Sequence, residues 1–163
     1  MAGWDTTGTD TAYTKTGLSL TSGLSYYISI RAIDNAGNES LVVTSDGVTV
    51  DTAAPYGTIV YDGAGADINY TGSDNTLSAN WPPFTDEISG IANYEYAIGT
   101  TIGGTEIIEW ESTGTDTIFT KTGLSLSSGL SYYISIRAAD NVGNVGAAIT
   151  SHGVTVDLSL IHI

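Results

Sequence analysis

Apolar and polar residues alternate with a period of two along much of this chain, the spacing that turns one face of an extended strand to a core and the other to solvent. In the run Ser131 to Asp140, one parity carries Tyr132, Ile134, Ile136 and Ala138, and the other carries Tyr133, Ser135 and Arg137. The first set is predicted to face inward and the second outward. Tyr94, Tyr96 and Ile98 likewise oppose Glu95 and Ala97, and Val154 and Val156 flank Thr155. Further strands are predicted near Thr58 to Tyr61, Thr76 to Trp81, Ile107 to Glu111 and Thr115 to Thr120. Turn-forming clusters separate them: Gly63-Ala64-Gly65, Gly72-Ser73-Asp74-Asn75, Pro82-Pro83, Gly103-Gly104 and Asp140-Asn141-Val142-Gly143-Asn144. No stretch sustains helical spacing. About seven short strands in about 100 residues predict an all-β, two-sheet sandwich.

The chain repeats itself. The segment from Trp4 to Asp51 returns without gaps as Trp110 to Asp157, an offset of 106 residues, and 35 of the 48 aligned residues are identical. A repeat of that length is a domain and not a solenoid unit, which would recur every 20–50 residues or so. Residues 56–157 are therefore read as one complete domain and residues 1–51 as the C-terminal half of a preceding domain of the same type. Residues 52–55 are read as a linker stiffened by Pro55, which lacks a backbone N–H. The last six residues, Leu158 to Ile163, depart from the repeat and resemble an in-frame translation of a sequencing-library adapter. They are read as a non-native tail.

Several of these residues carry a family resemblance. Trp81 followed by Pro82-Pro83, with Tyr94 one strand later, resembles the second and third strands of a fibronectin type III domain. Leu126, Gly129, Tyr132, Ile134, Ile136 and Ala138 resemble that family's leucine, turn glycine, corner tyrosine and alternating core strand. The same set stands in the first half at Leu20, Gly23, Tyr26, Ile28, Ile30 and Ala32. One departure is Ser127-Ser128-Gly129 before the corner tyrosine, where the family often has proline. The resemblance implies a fibronectin type III or immunoglobulin-like sandwich, with Trp81, Tyr94, Leu126, Tyr132, Ile134 and Ile136 in its core. It also implies a tandem module of a secreted or surface-attached bacterial protein.

Composition narrows the partners. Only four basic residues, Lys15, Arg31, Lys121 and Arg137, stand against 18 acids, for a formal charge of -14. Such a surface repels phosphate backbones and anionic lipid, so neither nucleic acid nor a membrane surface is an expected partner. There is no cysteine, which removes disulfide and thiolate chemistry. No run reaches the ~18 apolar residues of a membrane-spanning helix.

Catalytic chemistry finds little support. His152 stands where the first copy has Asp46, with no nucleophile motif beside it, and His162 falls in the tail. Asp86 and Glu87 imitate a paired-carboxylate site, but the surrounding Thr-Asp-Glu-Ile-Ser-Gly reads as a solvated loop. No catalytic residue and no organic cofactor are expected. Calcium is the one candidate ligand of the acids, since hard cations take several oxygens from converging loops. Asp34, Asn35, Asn38 and Glu39 with Asp51, or Asp140, Asn141 and Asn144 with Asp157, could hold it at a junction between modules. Outward-facing Tyr133 beside Arg137, repeated as Tyr27 beside Arg31, offers a surface for a glycan or protein ligand. The alternative is that these side chains simply cover the sheet, with Glu95 pairing Arg137. The expected role is that of an extracellular spacer whose neighbours are further repeats, or else an adhesion or carbohydrate-binding accessory module.

Overall fold

The computed structural model describes residues 3–159, so residues 160–163 of the expected non-native tail lie outside the described residues. The chain divides into two compact units, Met1–Val50 and Asp51–Ile163. In the first unit the strands are short: β1 (Ser25–Tyr26) pairs antiparallel with β4 (Val48–Thr49), and β2 (Ser29–Ile30) with β3 (Val43–Thr44).

The second unit is a two-sheet sandwich. One sheet has the order β10-β7-β5, built from β5 (Tyr61–Asp62), β7 (Thr76–Asn80) and β10 (Ile118–Thr122). The other has the order β6-β13-β11-β8-β9, with β12 also pairing β11. Its strands are β6 (Tyr70–Thr71), β8 (Ile91–Gly99), β9 (Ile108–Gly114), β11 (Ser131–Asp140), β12 (Ile149–Thr150) and β13 (Val154–Val156). All pairs are antiparallel except β13 with β6.

The inner faces meet in one core of Val60, Leu77, Ala79, Trp81, Tyr94, Tyr96, Ile98, Leu126, Tyr132, Ile134, Ile136, Val154 and Val156, all buried. The apolar parity of β11 is the buried one, as the alternation predicts, with Ile134, Ile136 and Ala138 fully enclosed. Trp81 meets Tyr94 edge-on at 5.6 Å between ring centres, and Phe84 meets Tyr94 likewise at 5.5 Å, the geometry favoured by aromatic quadrupoles. The Tyr94 hydroxyl accepts the Phe84 N–H at 2.9 Å, and the corner Tyr132 hydroxyl accepts the Ser127 N–H at 2.9 Å.

The structure differs from the sequence pattern in several places. The first strand of the sandwich covers Tyr61–Asp62 and not Thr58 to Tyr61, because the preceding segment pairs at Tyr56 with Thr85 and packs Gly57 against Phe84. A Cβ on Gly57 would stand 2.2 Å from that ring. Ser135, predicted to face solvent, is buried; it is a small side chain between Tyr133 and Arg137 and is bonded to Thr150 across β12 at 2.8 Å. Ala97 is buried although its parity is the outward one. Neither β6 nor β12 is anticipated, being only two residues each.

Residues 52–55, expected to be a linker, fall within the second unit. Pro55 is fully buried, and a Cβ on Gly146 would stand 2.1 Å from its carbonyl oxygen. The Asn144 amide donates to the Ala53 carbonyl at 3.1 Å. These residues are fastened to the turn after β11.

The two units share local detail. Ser25 pairs Thr49 and Ser29 pairs Thr44, the register of Ser131 with Thr155 and Ser135 with Thr150 shifted by the repeat. The Tyr26 hydroxyl accepts the Thr21 N–H at 2.8 Å, as Tyr132 does from Ser127. What differs is cover. Ile28, Ile30 and Val48 are 64%, 66% and 62% exposed, while their counterparts Ile134, Ile136 and Val154 are buried.

Candidate functional site

Three regions of the second unit stand out: a charged and aromatic sheet face, a depression and an acidic cluster. On the outer face of the β8–β11 sheet, Arg137 pairs Glu95 in direct register, with Nε to Oε2 at 2.6 Å. Its guanidinium also lies over the Trp110 ring at 4.1 Å, a cation–π contact. Tyr133, half-buried on the same face, covers Gly153, where an added Cβ would come within 2.7 Å of the ring. Gly153 has φ of 93°, a backbone region that favours glycine, so the turn and the close approach reinforce each other. Both residues singled out as a candidate binding surface are thus already engaged with their own sheet.

The second region is a shallow depression of about 210 Å³ between the loop after β5 and strand β7. Its lining is Gly63, Ala64, Ile68, Thr71, Ser73, Thr76, Leu77, Ser78 and Val154, with no titratable side chain. It is smaller than the roughly 300 Å³ at which ligand pockets begin.

The third region is acidic. Asp51, Asp86 and Asp140 bring one carboxylate oxygen each to within 4.8 Å of one another, and Asp140 is 2% exposed. Local turns aim these groups. Asp140 Oδ1 accepts the Val142 and Asn144 amides at 2.9 and 2.8 Å, and its Oδ2 accepts the Asn144 side-chain amide at 2.7 Å. Asp86 Oδ1 accepts the amides of Ile88, Ser89 and Gly90. Burial pushes the Asp140 carboxyl up, but the hydrogen bonds from Asn144, Val142 and Gly143 outweigh it and hold the group below the ordinary aspartate value. Asp140 is therefore an anion at neutral pH.

Asp51 and Asp140, expected in two separate groups of ligands, lie together with Asp86, expected to be solvated and here half-buried. Asn141 uses its amide nitrogen to hold the Ser89 and Gly90 carbonyls at 2.7 and 3.2 Å, so it fastens two loops as a donor. Asn144 also acts as a donor, and Asp157 accepts the Ser159 amide at its own turn. In the first unit Asp34 accepts the amides of Ala36 and Asn38 and the Asn38 side chain, the same turn as at Asp140, and Glu39 pairs Arg31. Asn35 stands in the same turn, between Asp34 and Ala36. The signal for Asp86 lies in its turn: like Asp34 and Asp140, it precedes amides that its own carboxylate can reach. Nothing in linear order links it to Asp51 and Asp140.

Of the two histidines, His162 lies outside the described residues, and the His152 side chain is 79% exposed, with Nδ1 4.0 Å from Asp67. Among the described residues no helix is long and apolar enough to cross a membrane.

No known protein family's sequence profile matches the chain. It is 34% identical over 157 residues to exoglucanase B of Cellulomonas fimi, an alignment covering 91% of this chain and 13% of that enzyme. It is 35% identical over 140 residues to chitinase A1 of Niallia circulans, covering 85% of this chain and 18% of that one. The chain spans less than a fifth of either relative. Among solved structures, the twitchin kinase region from C. elegans superposes with a TM-score of 0.41 at 23% identity, over 56% of this chain and 16% of that one. The second unit is thus an all-β, two-sheet sandwich, an architecture consistent with a fibronectin type III or immunoglobulin-like fold, and the chain is similar to a small part of two bacterial glycosidases.

Proposed function

We propose that this chain is a non-catalytic accessory module of an extracellular bacterial protein that acts on polysaccharide, and that it contributes to holding such a protein on glucan or chitin. The observation that carries this reading is the alignment: nearly the whole chain matches, yet it corresponds to 13% and 18% of an exoglucanase and a chitinase. The depression without titratable side chains and the solvent-exposed His152 agree with a module that leaves hydrolysis to another part of its protein. Sedimentation with insoluble cellulose and chitin tests it. Retention that is lost on Tyr133→Ala or Arg137→Ala supports binding through the outer sheet face. Full recovery in the supernatant with both polymers removes the binding reading.

A second reading, the mechanical spacer, has its own support. Arg137 covers the Trp110 ring and Tyr133 covers Gly153, so these aromatic faces are occupied from within the module. The repeat, identical at 35 of 48 positions, also suits a part needed in copies. On this reading, the module changes the reach of a parent enzyme and leaves its affinity for polymer unchanged.

A further inference from the structure

We propose that Asp51, Asp86 and Asp140 form a calcium site that fastens the segment before β5 and the turns after β7 and β11 into one rigid end of the sandwich. This goes beyond the polysaccharide reading and does not depend on it. Three carboxylate oxygens no more than 4.8 Å apart fit a single coordination sphere, since oxygens on opposite sides of a calcium ion stand about 4.8 Å apart. Among the described residues no Lys or Arg side chain pairs with the arrangement. Each of the four basic side chains is paired with another acid: Lys15 with Asp5, Arg31 with Glu39, Lys121 with Glu111 and Arg137 with Glu95.

A second observation points to a ligand independently of the clustering. Asp51 Oδ2 has under 1 Å² of accessible surface and no hydrogen-bond partner, an arrangement that a carboxylate oxygen sustains poorly unless something neutralises it. Ser89 Oγ, in the Asp86 turn, is also buried without a partner. The other oxygens are pre-oriented: Asp86 Oδ1 is held by three amides and Asp140 by its own turn and Asn144. Those bonds leave Asp86 Oδ2 and one lone pair of Asp140 Oδ2 for a metal. Three carboxylates from three separate segments favour calcium over magnesium, which prefers one or two carboxylates and a largely retained water shell.

The whole chain, stripped with chelator and returned to 0.15 M NaCl, is titrated with calcium chloride by calorimetry and by thermal melting. One calcium should bind with Kd on the order of 0.1–1 mM, the range of extracellular modules. At a hundredfold excess the midpoint should rise by about 10 °C or more. Asp86→Asn keeps the oxygen that caps its turn and removes one charge. It should weaken calcium binding at least tenfold, while its metal-free midpoint equals or exceeds that of the parent because three crowded anions become two. Glu87→Gln, an exposed neighbour, should leave both values unchanged. No calorimetric binding at 5 mM calcium, equal shifts from sodium chloride at matched ionic strength, or unaltered binding by Asp86→Asn would each overturn the site. If Asp86→Asn lowers the metal-free midpoint, Asp51→Asn supplies the same comparison without touching that turn.

Discussion

Replacing Tyr132 by Phe removes one oxygen atom and leaves the buried ring where it is. That oxygen accepts the Ser127 N–H at 2.9 Å and ties the loop before β11 to the start of the strand. Tyr132 is 2% exposed, so nothing replaces the contact on the tyrosine side, whereas Ser127 is exposed and its amide can turn to water. The loss should therefore fall near the middle of the range for a single hydrogen bond, about 1–1.5 kcal/mol, and below that for an orphaned buried donor. In a sandwich of about 100 residues this lowers Tm by roughly 5–10 °C. The repeat supplies an internal control. Tyr26 makes the same bond to Thr21 at 2.8 Å, but in an exposed setting, and Tyr26→Phe should change stability by less than about 0.5 kcal/mol. Urea unfolding followed by tryptophan fluorescence reads both variants, with Trp81 reporting the core and an unchanged m-value confirming that only stability moved. Equal effects at Tyr132 and Tyr26, or no shift in midpoint at Tyr132, would refute the argument that burial gives this bond its weight.

Three further outcomes are expected. Gly146→Ala drives a methyl group into the Pro55 carbonyl, 2.1 Å away, and should destabilise by about 1–3 kcal/mol, with new protease cleavage among residues 50–56 on a time course by mass spectrometry. Asp62 is 1% exposed and its carboxyl is raised by burial, more than the hydrogen bonds from Ser151 and Gly153 lower it. Its folded-state value lies above its unfolded one, so its contribution is fully present below the ordinary aspartate value and is lost as pH rises through the raised one. Asp62→Asn should accordingly raise the melting midpoint at pH 7, and that advantage should shrink toward pH 3. In limited proteolysis, residues 1–50 should be digested well before residues 51–157, because Ile28, Ile30 and Val48 have no cover; equal survival of both would contradict that ordering.

The long strands were legible in the sequence because their alternation spans many residues. β11 and β8 show one apolar parity each, and the predicted residues are the buried ones. The two-residue strands β5, β6 and β12 carry too short a pattern to announce themselves, and β5 is displaced because the chain before it pairs with Thr85 and packs against Phe84. Ser135 shows the other limit: alternation says which way a side chain points and not whether that face is covered, which here depends on Tyr133, Arg137 and Thr150. At the acidic cluster, Asp51 and Asp140 could be named from composition and turn position. Asp86 could not, because only the closed fold brings the turn after β7 to the other two.

The register shared by β1 with β4 and by β11 with β13 bears on how the sandwich assembles. That arm pairs in the same way whether its inner face is covered or bare, so its instructions lie within about 25 residues of chain. Closing so short a loop loses less entropy than bringing β10 to β7 or β11 to β8, whose paired residues lie farther apart in sequence. On loop length this arm belongs with the local pairs β5–β7 and β8–β9, and it finds its register ahead of the β7–β10 and β8–β11 pairings. The two sheets are then completed by the longer-range pairings, and destabilising substitutions at Val154 should slow refolding more than equal ones at Phe119.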